Sequence, residues 1–411
     1  MMRPNNSKSH PLVKAAAFGL ASLSLAFSAC TSTGTENAAD AVTSESEEQN
    51  LATSMVYVGT YADPEAESIF LYRLNPETGE LTRESATKGG PNPSFLALDE
   101  ERRYLYAVNE IGDYQGQNSG AVSAFAVDPQ TGALTLLNRV PSKGGSPAHT
   151  TVDGENKTVL VANYMGGNVA AFPIQENGQL GEASSVQQHE GAGPNKQRQE
   201  APHAHYIAPD PQNKYVLAVD LGTDKVYSYR LNPDKAELTP NDPAVAYTTE
   251  PGAGPRHLTF HPNGRYAYLI NELNSTMVAL AYDADKGTFT EIETVPTIPA
   301  DFKENNQTAE VKVSADGKYL YGSNRGHNSI VVYAIDENTG KLTQVQLVST
   351  GGDWPRDFSI DPTGNILMVA NERSNNITTF KIDKATGKLT PTGYEAEVHK
   401  PVNVQVVPAF Q

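Results

Sequence analysis

Three side chains of different chemical type stand close together in the segment GAGPRHLTFHPNGRYAYLINE, residues 252–272. They are Arg256, His257 and Glu272. Imidazole and carboxylate groups move protons in many enzymes, and a guanidinium binds carboxylate or phosphate through a planar pair of N–H donors. The segment therefore has the side chains for acid–base chemistry on an anionic substrate, if the fold brings them together.

The same segment is one copy of a repeat of about 50 residues, the spacing typical of propeller blades. Each copy has a strand opened by a polar or charged residue, a second strand that ends in Asn or Asp, a third strand that ends in an aromatic residue, and a fourth strand. Four short strands with no helical pattern between them predict one blade of a β-propeller. Six complete blades begin near Ser94, Ala148, His205, Arg256, Ala309 and Arg356.

The two ends of the repeat region supply a seventh blade. PVNVQVVP (401–408) has the pattern of a first strand with no second strand after it, and MVYVGTYA (55–62) has the pattern of a second strand with no first strand before it. Pairing the two would remove two exposed sheet edges. We predict an all-β, seven-bladed β-propeller with four-stranded blades over residues 55–411, closed by pairing of the N- and C-terminal strands.

Three positions of the repeat should lie at one end of each blade, because the first two strands form an antiparallel hairpin. They are the opening position of the first strand, the Asn position that ends the second strand, and the post-Asn position. The Asn is nearly constant, which indicates a structural role in bonding loop backbone. The other two positions vary from blade to blade and include one His, three Arg and three Glu. This gathering of charged side chains predicts a concave site near the central channel. These charged residues are His205, Arg256, Arg356, Glu110, Glu272, Arg325 and Glu372.

A few other side chains deserve comparison with this set. His149 and His257 follow the opening position, so they either lean into the channel or pack between blades. His261 falls in a turn and is expected to be structural, whereas Trp354 suits the channel mouth or the core equally. The sequence has no nucleophile elbow, phosphate-binding loop, zinc-helix motif or dinucleotide fingerprint, so we expect no cofactor and no metal.

Residues 255–274, with the blade pattern around them, closely resemble the lactonase family of seven-bladed propellers, which includes bacterial 6-phosphogluconolactonases and fungal carboxy-muconate lactonizing enzymes. The resemblance covers residues 55–408. It implies an active-site histidine, arginine and glutamate, which match His205, Arg256 and Glu272, and a further arginine that matches Arg325. His203 is an alternative to His205 that lies two residues out of register.

The resemblance implies hydrolysis of a small anionic lactone, 6-phosphogluconolactone or a related aldonolactone. Glu272 would act as general base on a water molecule, or would share with His205 the proton given to the departing ring oxygen. Guanidinium groups would hold the anion and stabilise the oxyanion. The residues expected to bind substrate are Arg325, Arg356, His257, His149 and Asn271.

Three alternatives stay open. One is a non-catalytic surface propeller that binds a ligand at the same mouth, and another is a muconate-type lactonizing cycloisomerase. The third is a metal-dependent lactonase in which Glu272, Asp220 and Asn271 are oxygen ligands.

The N-terminal region predicts export. Three cationic residues precede the apolar run AAAFGLASLSLAF (15–27), and Ser28 and Ala29 precede Cys30, the single cysteine, as in a lipoprotein signal. We expect residues 1–30 to be this signal with Cys30 as the lipidated residue, although an ordinary secretory signal is the alternative. Residues 31–54, acidic and Ser/Thr-rich, are expected to be a disordered tether.

The overall charge limits the partners. The chain has a net charge of −17, with 48 Asp and Glu against 31 Lys and Arg, and no basic stripe, which argues against nucleic acid. We expect a monomeric cell-envelope lipoprotein, periplasmic or anchored to the outer membrane, that contacts the membrane only through its N-terminal lipid.

Overall fold

The computed structural model describes residues 54–410, and every regular element in that range is a β-strand. The strands, in chain order, are β1 (Ser54–Thr60), β2 (Ile69–Leu74), β3 (Leu81–Thr87), β4 (Pro93–Leu98), β5 (Tyr104–Asn109), β6 (Ala121–Val127), β7 (Leu134–Pro141), β8 (Pro147–Val152), β9 (Thr158–Asn163), β10 (Asn168–Pro173), β11 (Ser185–Gln188), β12 (Ala204–Pro209), β13 (Tyr215–Asp220), β14 (Lys225–Asn232), β15 (Glu237–Thr248), β16 (Pro255–Phe260), β17 (Tyr266–Asn271), β18 (Thr276–Asp283), β19 (Thr288–Pro296), β20 (Gln307–Val313), β21 (Tyr319–Arg325), β22 (Ser329–Ile335), β23 (Leu342–Ser349), β24 (Pro355–Ile360), β25 (Ile366–Asn371), β26 (Asn376–Ile382), β27 (Leu389–Glu397) and β28 (Pro401–Pro408).

These strands form seven four-stranded antiparallel sheets, so the predicted seven-bladed propeller is confirmed. Six blades are continuous in the chain, from β4–β7 to β24–β27. The remaining blade has the order β28-β1-β2-β3, with Val58 opposite Val404, so the C-terminal strand closes the ring as predicted. Ser54, assigned to the tether from the sequence, is the first residue of β1 and pairs with Leu74 and Pro408.

The hydrophobic core lies between blades. Seven apolar clusters are present among the described residues, and each is built from two neighbouring blades. In six of the seven second strands every residue is buried, because these strands are packed on both faces. This explains why the second strands are almost continuously apolar in sequence.

A β-bulge at the start of each first strand positions the site. Pro255 pairs with Asn271 and His257 pairs with Ile270, which leaves Arg256 as an extra residue opposite neither. The same register shift occurs at the opening position of the other blades. A bulge interrupts the alternation of side chains along a strand, so two consecutive residues are no longer forced to opposite faces.

The expectations for residues 1–53, including the signal and lipidation at Cys30, lie outside the described residues. Between Ser54 and Phe410 no helix has the length and apolar character needed to cross a membrane.

Candidate active site

A cavity of about 400 Å³ opens at the end of the ring where the first strands begin and the second strands end. We call this cavity the mouth. Six of its residues occupy the post-Asn position of different blades, and three occupy the opening position, as the repeat register predicts. The lining residues are Tyr61, Glu110, Tyr164, Glu272, Arg325 and Glu372; Ala148, His205 and Arg356; and Arg198, Gln307 and Trp354.

Glu272 is the centre of the charge network in the mouth. Its Oε1 lies 2.5 Å from Arg198 Nη2, and its Oε2 lies 2.6 Å from Arg325 Nη2 and 3.3 Å from Arg256 Nε. The side chain is buried. Burial alone would raise the pKa of Glu272, but the guanidiniums of Arg325, Arg256 and Arg198 lower it to about 2.

We infer from its surroundings that Glu272 acts on the arginines around it and that another residue is the general base. A carboxylate with a pKa of about 2 stays ionised at neutral pH and is a weak proton acceptor. Both of its oxygens already accept from guanidinium groups. The contacts instead suit a residue that fixes three arginines around the mouth.

The predicted arginines differ in their availability to a ligand. Arg256 lies beneath the cavity, where its Nη1 donates to Ala309 O at 2.8 Å. Burial and the charges of Arg325 and Arg356 lower its pKa to about 9, so it is still charged at neutral pH. Arg325 donates from Nη2 to Thr308 O at 2.9 Å and lies over the Trp354 ring.

Arg356 is the guanidinium with the loosest ion pair in the mouth. Its Nη2 lies 3.7 Å from Glu110 Oε2, and its Cζ lies 5.3 Å from the centre of the Tyr61 ring. Burial alone would lower the pKa of Arg356, but Tyr61 and the carboxylates of Glu110 and Glu372 raise it above its usual value. Arg356 is therefore a permanent cation with donors available for an anion.

His205 is the imidazole on the wall of the mouth. It is only 4 % exposed, and its Nδ1 is buried without a hydrogen-bond partner. Burial, together with the charges of Arg256, His257 and Arg356, lowers its pKa well below the usual value. The ring is thus neutral at neutral pH and keeps a nitrogen lone pair for a proton, and the lowered pKa makes it a weaker base than a free imidazole.

His203 is less suited to this role. Its Nδ1 lies 3.0 Å from Tyr164 O and its Nε2 lies 3.2 Å from Glu200 Oε1, so both ring nitrogens already have partners. Its ring stacks on Tyr164. The choice between the two histidines therefore favours His205.

Three residues predicted to bind substrate lie away from the cavity wall. His149 and His257 are buried in the channel beneath the mouth, with ring centres 5.3 Å apart. Asn271 is buried and donates from Nδ2 to Thr276 Oγ1. The Asn position thus bonds the neighbouring strand, in keeping with its near constancy in the repeat.

The sequence analysis missed Tyr61, Gln307 and Arg198. Tyr61 occupies the post-Asn position of the closing blade, where Thr60 replaces Asn, so extending the repeat register to MVYVGTYA would have found it. Arg198 comes from residues 189–203, a connection much longer than the corresponding 142–146 of the preceding blade. This added length is the only sequence signal for Arg198.

Two of the three oxygen ligands of the metal-dependent alternative, Glu272 and Asp220, already have other partners. Asp220 Oδ2 lies 2.6 Å from His189 Nδ1, while its Oδ1 accepts from the backbone N–H groups of His203 and Thr223. Within residues 54–410, no three His, Cys, Asp or Glu side chains are grouped in a way that would hold a metal ion.

A seven-bladed ring with an arginine, glutamate and histidine cluster at one end defines a class of protein. The chain belongs to the family described as lactonase, 7-bladed beta-propeller, whose sequence pattern matches residues 55–406.

Individual relatives agree with this family. A 6-phosphogluconolactonase of Bacillus subtilis strain 168 is 42% identical over 307 residues, covering 75% of this chain and 85% of the relative. A 6-phosphogluconolactonase of Formosa agariphila is 33% identical over 319 residues, covering 75% of this chain and 87% of the relative. The solved structure of a periplasmic gluconolactonase from Pseudomonas aeruginosa is similar with a TM-score of 0.82 at 32% identity, covering 87% of this chain and 99% of that one.

Proposed function

We propose that the protein hydrolyses the ring ester of a sugar-acid lactone in the mouth. The observation that carries the proposal is a neutral His205 on the wall of an open cavity that also holds the guanidiniums of Arg198, Arg325 and Arg356. A proton acceptor beside fixed cations is what hydrolysis of an ester with a developing oxyanion requires. The names of the relatives support the same reaction class.

The proposed reaction has two steps. The oxygen of a water molecule attacks the lactone carbonyl carbon while His205 accepts a proton from that water. The carbonyl oxygen becomes an oxyanion, which the guanidiniums of Arg325 and Arg356 stabilise. The bond from carbon to ring oxygen then breaks, His205 returns the proton to the departing oxygen, and the product is the open hydroxy acid.

The charges around the mouth limit the substrate. Four guanidiniums, those of Arg198, Arg256, Arg325 and Arg356, face the three carboxylates of Glu110, Glu272 and Glu372, which leaves one net positive charge. We propose 6-phosphogluconolactone or an unphosphorylated aldonolactone such as gluconolactone as substrate. Export favours the unphosphorylated compound, since phosphorylated sugars are cytosolic metabolites.

Proton release in a pH-stat, corrected for spontaneous hydrolysis, tests the proposal with both lactones. We expect turnover of at least one, and a fall in kcat of at least about 100-fold in His205→Gln, the range for loss of a general base. The matched control is His261→Gln. His261 is also buried, but it is four residues beyond His257, in a turn, and its Nε2 bonds Gly317 O and not a residue of the mouth.

Each other outcome has a meaning. Full turnover in His205→Gln would contradict the assigned base. If neither lactone is hydrolysed, the ligand-binding propeller gains support. An ultraviolet change with muconates, absent with sugar lactones, would indicate the cycloisomerase.

We also propose that the protein is an exported, monomeric lipoprotein with Cys30 as its lipidated residue. The likeness to a protein described as periplasmic supports export. Replacement Cys30→Ser should move the protein from the membrane fraction to the soluble fraction, and light scattering should give the monomer mass. Membrane association that survives Cys30→Ser would contradict the anchor.

A further inference from the structure

A second layer of seven side chains lies directly beneath the mouth. Each layer member follows the bulged opening residue of its blade and enters the central channel. One side of the layer is aromatic: the rings of His149 and His257 contact each other, and each also contacts the rings of Phe95 and Tyr206. The other side is polar, with Glu310, Asp357 and Asn403, all buried.

One pair within this layer joins its two sides. His257 Nδ1 lies 2.8 Å from Glu310 Oε2, and both side chains are buried. Lys312 Nζ, at 3.5 Å from the other oxygen of Glu310, supplies a positive charge that favours a carboxylate. A carboxylate only accepts hydrogen bonds, so His257 carries its proton on Nδ1.

His257 then presents a lone pair from its other nitrogen. Burial and the nearby Arg256 and Lys312 lower the pKa of His257 well below its usual value, so the ring is neutral and Nε2 is an acceptor. In the described structure this Nε2 is buried without a partner. An unpaired buried acceptor is costly, so a donor beside it is strongly favoured.

His205 is placed to supply that donor. Its ring centre lies 5.2 Å from that of His257, with the planes at 70°, and its Nδ1 is the other buried imidazole nitrogen without a partner. We propose that Glu310, acting through His257, holds His205 in the tautomer with its proton on Nδ1, which leaves the lone pair of Nε2 for the mouth. Glu310 and His257 are in this view positioning residues.

The tautomer matters for the reaction, and this consequence rests on the proposed function. With the proton on Nδ1, Nε2 accepts the proton of the attacking water, and the imidazolium that forms is stabilised by Glu310 through His257. With the proton on Nε2 instead, His205 would present a donor to the mouth and would fail as a base there. A carboxylate that orients an imidazole is a recurring device in active sites.

The tautomer is measurable without any enzyme activity. Full-length protein labelled with ¹⁵N-histidine, studied by long-range ¹H–¹⁵N correlation, reports which ring nitrogen of each histidine is protonated, and His205→Gln assigns the His205 signals. We expect a single Nδ1–H pattern for His205. We expect that pattern to be lost in His257→Phe, a side chain that the layer already contains at Phe95, and in Glu310→Leu.

Two results would overturn the proposal. One is an Nε2–H or mixed pattern for His205 in the unaltered protein, as would follow if His149, whose ring is also 5.3 Å from that of His257, were the donor. The other is an unchanged His205 pattern in both variants, when the signals of their remaining histidines show that the variants are folded. These results hold whether or not the protein hydrolyses a lactone, so failure of the proposed function is recognised separately.

Kinetics supply a readout that a merely structural role would not change. In Glu310→Leu we expect kcat to fall about 10- to 100-fold with KM little changed. This is the usual loss of activity when a residue that orients an active-site side chain is removed. We also expect the acidic limb of kcat/KM to move to lower pH, because a carboxylate no longer favours the imidazolium. His261→Gln should change neither quantity, and a Glu310→Leu variant with a normal profile would contradict the proposal. The charged and titratable groups around His257 and Glu310 are Lys312, Asp357, Arg256, Arg325, Arg356, His149, His205 and Tyr206.

Discussion

At the scale of single residues, His205 should keep the protein active in mild acid. Burial and neighbouring positive charges lower its pKa well below 6.5, so the neutral base persists as the pH falls through that value. We expect the acidic limb of kcat/KM below pH 6.5, measured between about pH 4 and pH 8 against spontaneous hydrolysis, with the loss reversible on return to pH 7. A limb at or above pH 6.5 would show that another group is the base.

The same lowered pKa has a consequence for stability. An unfolded His205 binds a proton near pH 6.5, whereas the folded protein does not until the pH is much lower. The contribution of His205 to the free energy of unfolding therefore falls as the pH drops below about 6.5. The same lowered pKa that keeps the base neutral in mild acid thus makes the fold less stable there. Sequence position alone does not reveal either effect, because both depend on the burial of the ring and on Arg256 and Arg356.

Glu272→Gln should be costly to the fold as well as to activity. Removal of the central carboxylate leaves the buried Arg256 and Arg325 with less compensating charge, and breaking a buried pair costs about 3–5 kcal/mol. The pKa of Glu272 is lowered to about 2, so its contribution is present above its unfolded pKa, near 4.5, and is lost as the pH falls toward 2.

Urea unfolding of the Glu272→Gln variant at pH 7 and at pH 3 tests this assignment. We expect the stability difference from the unaltered protein to be largest at pH 7 and to narrow at pH 3. A variant as stable as the unaltered protein at pH 7 would contradict the central role of Glu272 in the arginine cluster.

At the scale of blade elements, the Asn position should contribute to stability and leave the chemistry unchanged. Asn109 is fully buried, donates from Nδ2 to Gly89 O and Pro91 O, each at 2.9 Å, and accepts from Ser123 Oγ. We expect Asn109→Ala to lower the free energy of unfolding by about 2 kcal/mol, because buried backbone carbonyls lose their donor. Urea unfolding measures this, with Asn338→Ala, at an exposed side chain, expected to stay within about 0.5 kcal/mol.

The same elements show how far sequence reasoning reaches. The strands, the ring closure and the convergence of the opening and post-Asn positions follow from the spacing of the repeat, since each blade uses the same hairpin and bulge. Arg198 does not follow, because it reaches Glu272 from an irregular connection, residues 189–203, that is longer than the corresponding connection of any other blade. The pairing of Glu272 with three arginines is likewise hidden, since these arginines lie far apart in the chain.

At the scale of the whole molecule, the ring depends on a single strand from the other end of the chain. β28 pairs with β1 along its length, and Val404, fully buried, packs with residues of the last and first blades. Termination after Lys400 removes this strand, exposes the edge of β1 and removes Val404 from the apolar cluster between the two blades. We expect the truncated chain to aggregate or to lose its cooperative thermal transition, as measured by light scattering and calorimetry.

A circular permutant separates loss of the strand from loss of the connection. Pro408 pairs with Ser54, so a short linker from Phe410 to Ser54 would turn β28 and β1 into an ordinary hairpin, with new ends between His399 and Lys400. We expect this permutant to melt cooperatively and to retain lactone turnover, because closure also brings Tyr61 of the first blade against Arg356 of the last. A truncated chain that matches the permutant in melting and turnover would show that the other six blades hold the mouth without the closing strand.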